Sequence, residues 1–216
     1  MSIAENLNRI KNSIPPDVKV IAISKTKTFE DILKAYHTGH RDFGESKVQE
    51  IIKKQSQLPQ DIKWHMVGHL QTNKVKYIAP FVSLIHSVDS LKLLKEINRQ
   101  ALKNNRKLPV LLQVKIAVET TKFGLEPNQI DDIMQKSYPL EAIKIVGLMG
   151  MASFIDNKNQ LDQEFSTLKD LFNNLQTKHP SIEVLSMGMT QDYQQAIAHG
   201  STMVRIGRKI FGERST

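Results

Sequence analysis

The chain contains no cysteine among its 216 residues, which excludes disulfides, thiolate zinc sites and cysteine nucleophiles together. Aromatic residues make up only 6%, and the lysines behind the net charge of +8 are spread along the whole chain. No basic stripe with interleaved stacking residues results, so the charge speaks for solubility and for attraction to small phosphorylated anions rather than for nucleic acid. The start, Met1-Ser2-Ile3-Ala4-Glu5-Asn6-Leu7, lacks a basic segment followed by an apolar block, and no apolar stretch approaches membrane-spanning length. There is no linker rich in Gly, Ser or Pro and no shift in composition. These absences predict one domain over 1–216, a soluble cytoplasmic protein with neither membrane nor nucleic acid as partner.

What the sequence does have is short apolar runs alternating with helical patterns. An amphipathic helix is expected over about Ser2 to Ser13, where Ile3, Leu7, Ile10 and Ile14 share a face. About eight strands follow: Val20 to Ile23, Asp42-Phe43, Trp64 to Val67, Val82 to Ile85, Val110 to Ile116, Ile143 to Met149, Glu183 to Ser186 and Met203 to Ile206. Helices are expected over Phe29 to His37, Lys47 to Gln55, Ser90 to Lys103, Asn128 to Ser137, Gln160 to Lys178 and Gln191 to His199, with Gly39 and Gly200 as C-terminal caps. This α/β alternation favours a closed (β/α)₈ barrel, a TIM barrel with an extra N-terminal helix; an open doubly wound sheet is the alternative.

In a barrel, functional residues collect just after the strands. There the first strand delivers Ser24-Lys25-Thr26-Lys27. A lysine held partly desolvated beside a second ammonium is a usable nucleophile toward carbonyls. If the chain stays extended, Lys25 and Lys27 point to the same side, roughly 7 Å apart. A solvated loop is the ordinary alternative for Lys-x-Lys. After the seventh and eighth strands, Ser186, Gly188, Thr190 and Gly207 make a small, hydroxyl-rich environment suited to a phosphate. Arg205 adds a fixed positive charge beside it. An amine, a phosphate cradle and an arginine at one barrel mouth point to pyridoxal 5'-phosphate held as a Schiff base. His65 and His69 stand four residues apart, but a zinc pair needs one helix and a third ligand. His65 is therefore read as lining the mouth or bonding locally, His69 as opening a turn, and His37, His40, His179 and His199 as exposed. Glu119 to Leu125 is expected to order a loop near the mouth, with Lys122 solvated.

These motifs, with Phe43-Gly44-Glu45, Trp64-His65, Gly68-His69-Leu70-Gln71, Gly147-Leu148-Met149, Gly200-Ser201-Thr202 and Ile210-Phe211-Gly212, resemble the pyridoxal phosphate homeostasis proteins. That family is related to the N-terminal barrel of alanine racemase, and the resemblance covers essentially the entire chain. It implies that Lys25 carries the cofactor, that Ser186, Met187, Thr190, Ile206 and Gly207 contact the phosphate, and that Arg205 approaches the pyridine nitrogen or the phosphate. Ser46 stands where many members have asparagine, and Thr190 where they have serine; the former puts the Ser46 contact in doubt, while the latter keeps its hydroxyl. The implied role is cofactor carriage and vitamin B6 homeostasis without significant turnover, by a monomer whose further partners are apo forms of pyridoxal-phosphate enzymes. An amino-acid racemase or decarboxylase is the alternative. Racemisation needs a base on each face of the α-carbon, which the related racemase draws from a tyrosine of a second domain. This chain runs only to Thr216, and its four tyrosines, Tyr36, Tyr77, Tyr138 and Tyr193, fall in expected helices or their ends, where packing is the usual role.

Overall fold

The computed structural model describes residues 1–117 and 123–213, and the expected loop residues Glu119 to Lys122 lie outside them. Eight parallel strands pair in chain order and close on themselves: β1 (Lys19–Ile23), β2 (Asp42–Glu45), β3 (Lys63–Met66), β4 (Leu84–Val88), β5 (Leu108–Val114), β6 (Ile143–Gly150), β7 (Val184–Met189) and β8 (Met203–Ile206). The closing register pairs Lys19 with Met203, Ile21 with Arg205 and Ala22 with Ile206. Around the barrel run α1 (Ile3–Asn12), α2 (Phe29–Tyr36), α3 (Val48–Gln55), α4 (Val75–Ile78), α5 (Leu91–Lys103), α6 (Ile130–Ser137), α7 (Lys158–Lys178), α8 (Tyr193–Ala198) and α9 (Arg208–Phe211). The fold is the (β/α)₈ barrel with the extra N-terminal helix α1, and the open sheet is excluded by the β1–β8 pairing.

Local chemistry explains the helix starts. Ser2 and Glu5 form a reciprocal capping box on α1, while Thr28, Ser90 and Asn157 each accept a backbone N–H at the head of α2, α5 and α7. Each such cap contributes about 1 kcal/mol. Gly39 and Gly200 adopt φ of 84° and 83°, the left-handed conformation that ends a helix at least cost in glycine.

Four strands differ from the sequence expectation by two residues or more: β2 runs on to Glu45 and β7 to Met189, and β4 and β5 are displaced. β4 begins two residues later than expected and runs on to Val88, because Val82 still bonds back to Ile78 in the preceding turn. β5 begins earlier, at Leu108-Pro109 paired with Ile143-Lys144, and stops at Val114, where Lys115 turns to donate to the Leu125 carbonyl. The short helices α4 and α9, one turn each, carry too little periodicity to be read from sequence.

Strand alternation divides the interior. Outward residues, such as Trp64, Met66, Leu112, Leu185, Met187, Val204 and Ile206, pack against the helices in the main core. Inward residues include an apolar layer of Ile21, Leu84, Leu111, Met149 and Met203. Gly147 is required by close approach of β7, since a Cβ there would collide with the Val184 carbonyl oxygen.

His40, expected to be exposed, is 4% exposed. It precedes β2, where its Nε2 bonds the Asp42 carbonyl at 2.8 Å and its ring meets Phe43 edge-on. Burial, reinforced by the charge of Lys11, pushes its pKa from 6.5 down to about 4. The unfolded chain thus binds a proton that the folded chain does not over this window, so stability falls as pH drops from 6.5 toward 4. The contribution is about 3 kcal/mol. Urea unfolding followed against pH is expected to show this slope in the native chain, and a shallower one in His40→Gln.

Candidate functional site

At the C-terminal end of the barrel lies a cavity of about 980 Å³, the end at which barrels of this class carry their chemistry. Its wall includes Lys25, Ser46, Thr190, Arg205 and Gly207, five of the residues singled out in the sequence. Its cations are Lys25, Lys27, Lys158, Arg205 and Arg208, against the carboxylates of Asp156, Asp192 and Glu213.

Lys25 leaves β1 on a tight turn rather than an extended segment. Lys27 N–H donates to the Ser24 carbonyl at 3.0 Å, and Thr26 between them has φ of 65°, a conformation that costs a β-branched residue roughly 1–3 kcal/mol. The turn separates the two lysines in function. Lys27 Nζ donates to the carbonyls of Phe211, Gly212 and Glu213, closing the C-terminal end of α9 as cations do. Lys25 is half-buried and its amine has no hydrogen-bond or ion-pair partner among the described residues.

A buried ionic cluster clamps this turn from behind. Lys54 Nζ donates to the Ser24 carbonyl at 2.8 Å, to Glu45 Oε1 at 2.8 Å and to Glu50 Oε2 at 3.2 Å. Ser24 Oγ donates to the same Glu45 oxygen at 2.6 Å. Glu50 Oε2 in turn accepts the Thr26 N–H at 2.9 Å, fixing the strained residue. Burial raises the Glu45 carboxyl pKa against the pull of Lys54. Burial also opposes the Glu50 charge, but the Thr26 N–H and Lys54 outweigh it and hold that carboxyl below its usual range. The sequence signal for Lys54 was present: it continues the apolar face of α3 after Val48 and Ile51.

Across the mouth, Thr190 Oγ1 accepts the Gly207 N–H at 3.2 Å and so ties the loop after β7 to the one after β8. Gly188 takes φ of 93°, and a Cβ there would press on Ala196 of α8. The backbone of Ser46 passes so close to Gly68 that any side chain at 68 would collide with the Ser46 carbonyl. Arg205 rises from β8, 4% exposed, donating from Nη1 to the Ser186 carbonyl at 2.9 Å and Ser186 Oγ at 2.7 Å, and from Nη2 to the Gly150 carbonyl at 2.8 Å. Burial lowers its pKa to about 10, which leaves it cationic at neutral pH.

The other expected residues sit below the cavity. Ser186 and His65 point into the barrel interior, while Met187 and Ile206 face outward into the core beneath the helices. His65 is buried against Asp42 and His86, whereas His69 bonds Asp89 and stacks on Phe123 at 3.9 Å, so the four-residue spacing does not bring the two rings to one ligand. His86, inside the fully buried β4, was missed because the expected strand stopped at Ile85.

Comparison with known proteins matches residues 1–215 to the model of the alanine racemase N-terminal domain. A pyridoxal phosphate homeostasis protein of Aquifex aeolicus is 40% identical over 198 residues, covering 91% of this chain and 87% of its own. The chain belongs to that family. The homologue of the same name from Pasteurella multocida is 37% identical, with 99% of this chain and 98% of its own covered. Among solved structures, PipY of Synechococcus elongatus superposes in its form without pyridoxal phosphate with a TM-score of 0.92 at 36% identity, over 98% of this chain and 100% of its own. Its form with the cofactor bound gives 0.89 at 34% identity, over the same shares. An alanine racemase of Clostridium difficile, 17% identical, shares the fold with a TM-score of 0.79, this chain spanning 57% of it.

Lys54→Met is expected to destabilise the fold by about 3–5 kcal/mol, because it strands a buried carboxylate. Adding Glu45→Gln should recover part of the loss. Equal denaturant midpoints for the single and double variants would show that the two groups are not coupled.

Proposed function

We propose that this protein binds pyridoxal 5'-phosphate through Lys25 and serves in its homeostasis, holding the cofactor without significant turnover. The observation that carries the reading is the Lys25 amine, without a partner among the described residues, on the wall of the same cavity as Arg205 and the Thr190–Gly207 junction. When bound, pyridoxal phosphate supplies an aldehyde that condenses with an amine, and a ring whose electron demand depends on its nitrogen.

The donor set fits that group. Lys25 is the Schiff-base residue; the Lys54 cluster holds its turn while leaving the amine itself unengaged. The Gly207 N–H occupies one side of the Thr190 hydroxyl, so the Thr190 O–H remains to donate to a phosphate oxygen. Arg208, next in the chain and on the cavity wall, adds charge. Arg205 faces the ring nitrogen in this reading. A guanidinium has donors only, so it favours an unprotonated nitrogen and weakens the ring as an electron sink, which suits storage better than turnover. Ser46 completes the wall near Lys25, and Ser186 acts through Arg205 rather than by direct contact.

A racemase would need a second proton-transfer group above the substrate carbon. None of the four tyrosines lines the cavity. The proposal extends to a cytoplasmic monomer that hands the cofactor to apo enzymes. Phe154, 70% exposed on the cavity wall, marks the rim where such a partner would meet the site.

Purified protein is expected to show the visible absorption band of lysine-linked pyridoxal phosphate, and Lys25→Ala to lose it. A band that persists in the variant excludes Lys25 as the anchor. Neither alanine enantiomer should be racemised at a measurable rate; robust turnover would overturn the storage role.

A further inference from the structure

Beneath the cavity a single file of hydrogen bonds crosses the barrel interior. Arg205 Nη1 reaches Ser186 Oγ at 2.7 Å, Ser186 Oγ meets His86 Nδ1 at 3.2 Å, His86 Nε2 meets His65 Nδ1 at 3.0 Å, and His65 Nε2 meets Asp42 Oδ1 at 3.1 Å. The links come from β8, β7, β4, β3 and β2, so five of the eight strands contribute one inward side chain each. Asp42 begins β2 and therefore lies toward the opposite end of the barrel from the cavity.

With both imidazoles neutral, as their burial favours, the two ends fix the direction of every link. An arginine only donates and a carboxylate only accepts. His65 must therefore donate from Nε2 to Asp42, which leaves its Nδ1 as acceptor for a proton on His86 Nε2. His86 Nδ1 is then an acceptor, and it takes the Ser186 hydroxyl proton. Ser186 Oγ, its proton committed, has lone pairs left for Arg205. Reversing any link would set two lone pairs face to face among the buried side chains of His65, His86 and Ser186, at the cost of an unpaired buried polar group. Burial favours neutral rings at both positions, despite the Asp42 charge beside His65. At the far end burial works against the Asp42 charge, but the His65 hydrogen bond and then Lys19 and Lys63 keep its carboxyl below the usual range.

We propose that His86, together with His65 and Asp42 behind it, is a positioning residue for Arg205, acting through Ser186 to aim the guanidinium at whatever the cavity holds. The consequence for a cofactor rests on the reading of Arg205 given under Proposed function; the positioning itself does not. Without His86, the Ser186 hydroxyl is free to rotate and offer its proton elsewhere, so Arg205 loses one of the partners that hold its fork.

The chain's direction is testable in the native protein without cofactor. Imidazole nitrogen NMR is expected to report both His65 and His86 as neutral and protonated at Nε2. An Nδ1–H tautomer or a cationic ring at neutral pH at either position overturns the assignment. For the positioning, the Arg205 Nε–H resonance is followed in folded His86→Phe and His86→Gln, the first removing both hydrogen-bonding groups and the second keeping a donor and an acceptor. The Phe variant is expected to shift or broaden that resonance and to speed loss of pyridoxal phosphate on dialysis about tenfold, with His86→Gln restoring most of both. An unmoved Arg205 resonance in His86→Phe sinks the proposal. If the resonance moves while Arg205→Leu retains pyridoxal phosphate normally, the positioning stands and the cofactor role of Arg205 fails instead.

Discussion

The pairing of β1 with β8 is the constraint on which the rest of the site depends. It sets Ile21 beside Arg205 and Ala22 beside Ile206, so the residues that follow, Lys25 on one strand and Gly207 on the other, emerge at the same rim although 182 positions separate them in the chain. Every other feature of the cavity is an adjustment around that closure. Lys27 reinforces it by binding the carbonyls after α9, and Asn6 of α1 adds a bond to the Ile210 carbonyl. First and last elements are thus locked together beside the cavity.

Two separate systems of buried charge flank the sheet. One, Lys54 with Glu45 and Glu50, lies outside the sheet behind the Lys25 turn and holds Thr26 in its strained conformation. The other runs through the interior from Asp42 to Arg205. Buried ion pairs of this kind give little net stability, because desolvation offsets the attraction. Their effect is geometric, since each admits a single arrangement of donors and acceptors. That is what a site needs if it is to hold a small rigid molecule.

The elements with long periodicity were legible from the residues alone. α1, α3, α5 and α7 emerged with boundaries within two residues, as did β1, β3 and β8, because apolar spacing and capping residues act locally. β4 was misplaced since its five residues are all buried, and a fully buried strand shows no alternation to mark its ends. His86 was lost with it. His40 follows a helix end, a position where most histidines are solvated; its burial comes from the fold, which sets it against Phe43 and the Asp42 carbonyl.

By itself the sequence determined the alternation of strand and helix, the barrel class, and the residue types at the strand ends, including Lys25, Thr190 and Gly207. Those properties depend on neighbours a few positions away. Tertiary structure decided which of two lysines has an amine without a partner among the described residues, and it sent Ser186 inward while Met187 and Ile206 went outward. It also joined Asp42, His65, His86, Ser186 and Arg205 into one file. Such outcomes require residues from distant strands to meet at hydrogen-bond distance, and the pleat, the register and the closure of the barrel together set those meetings.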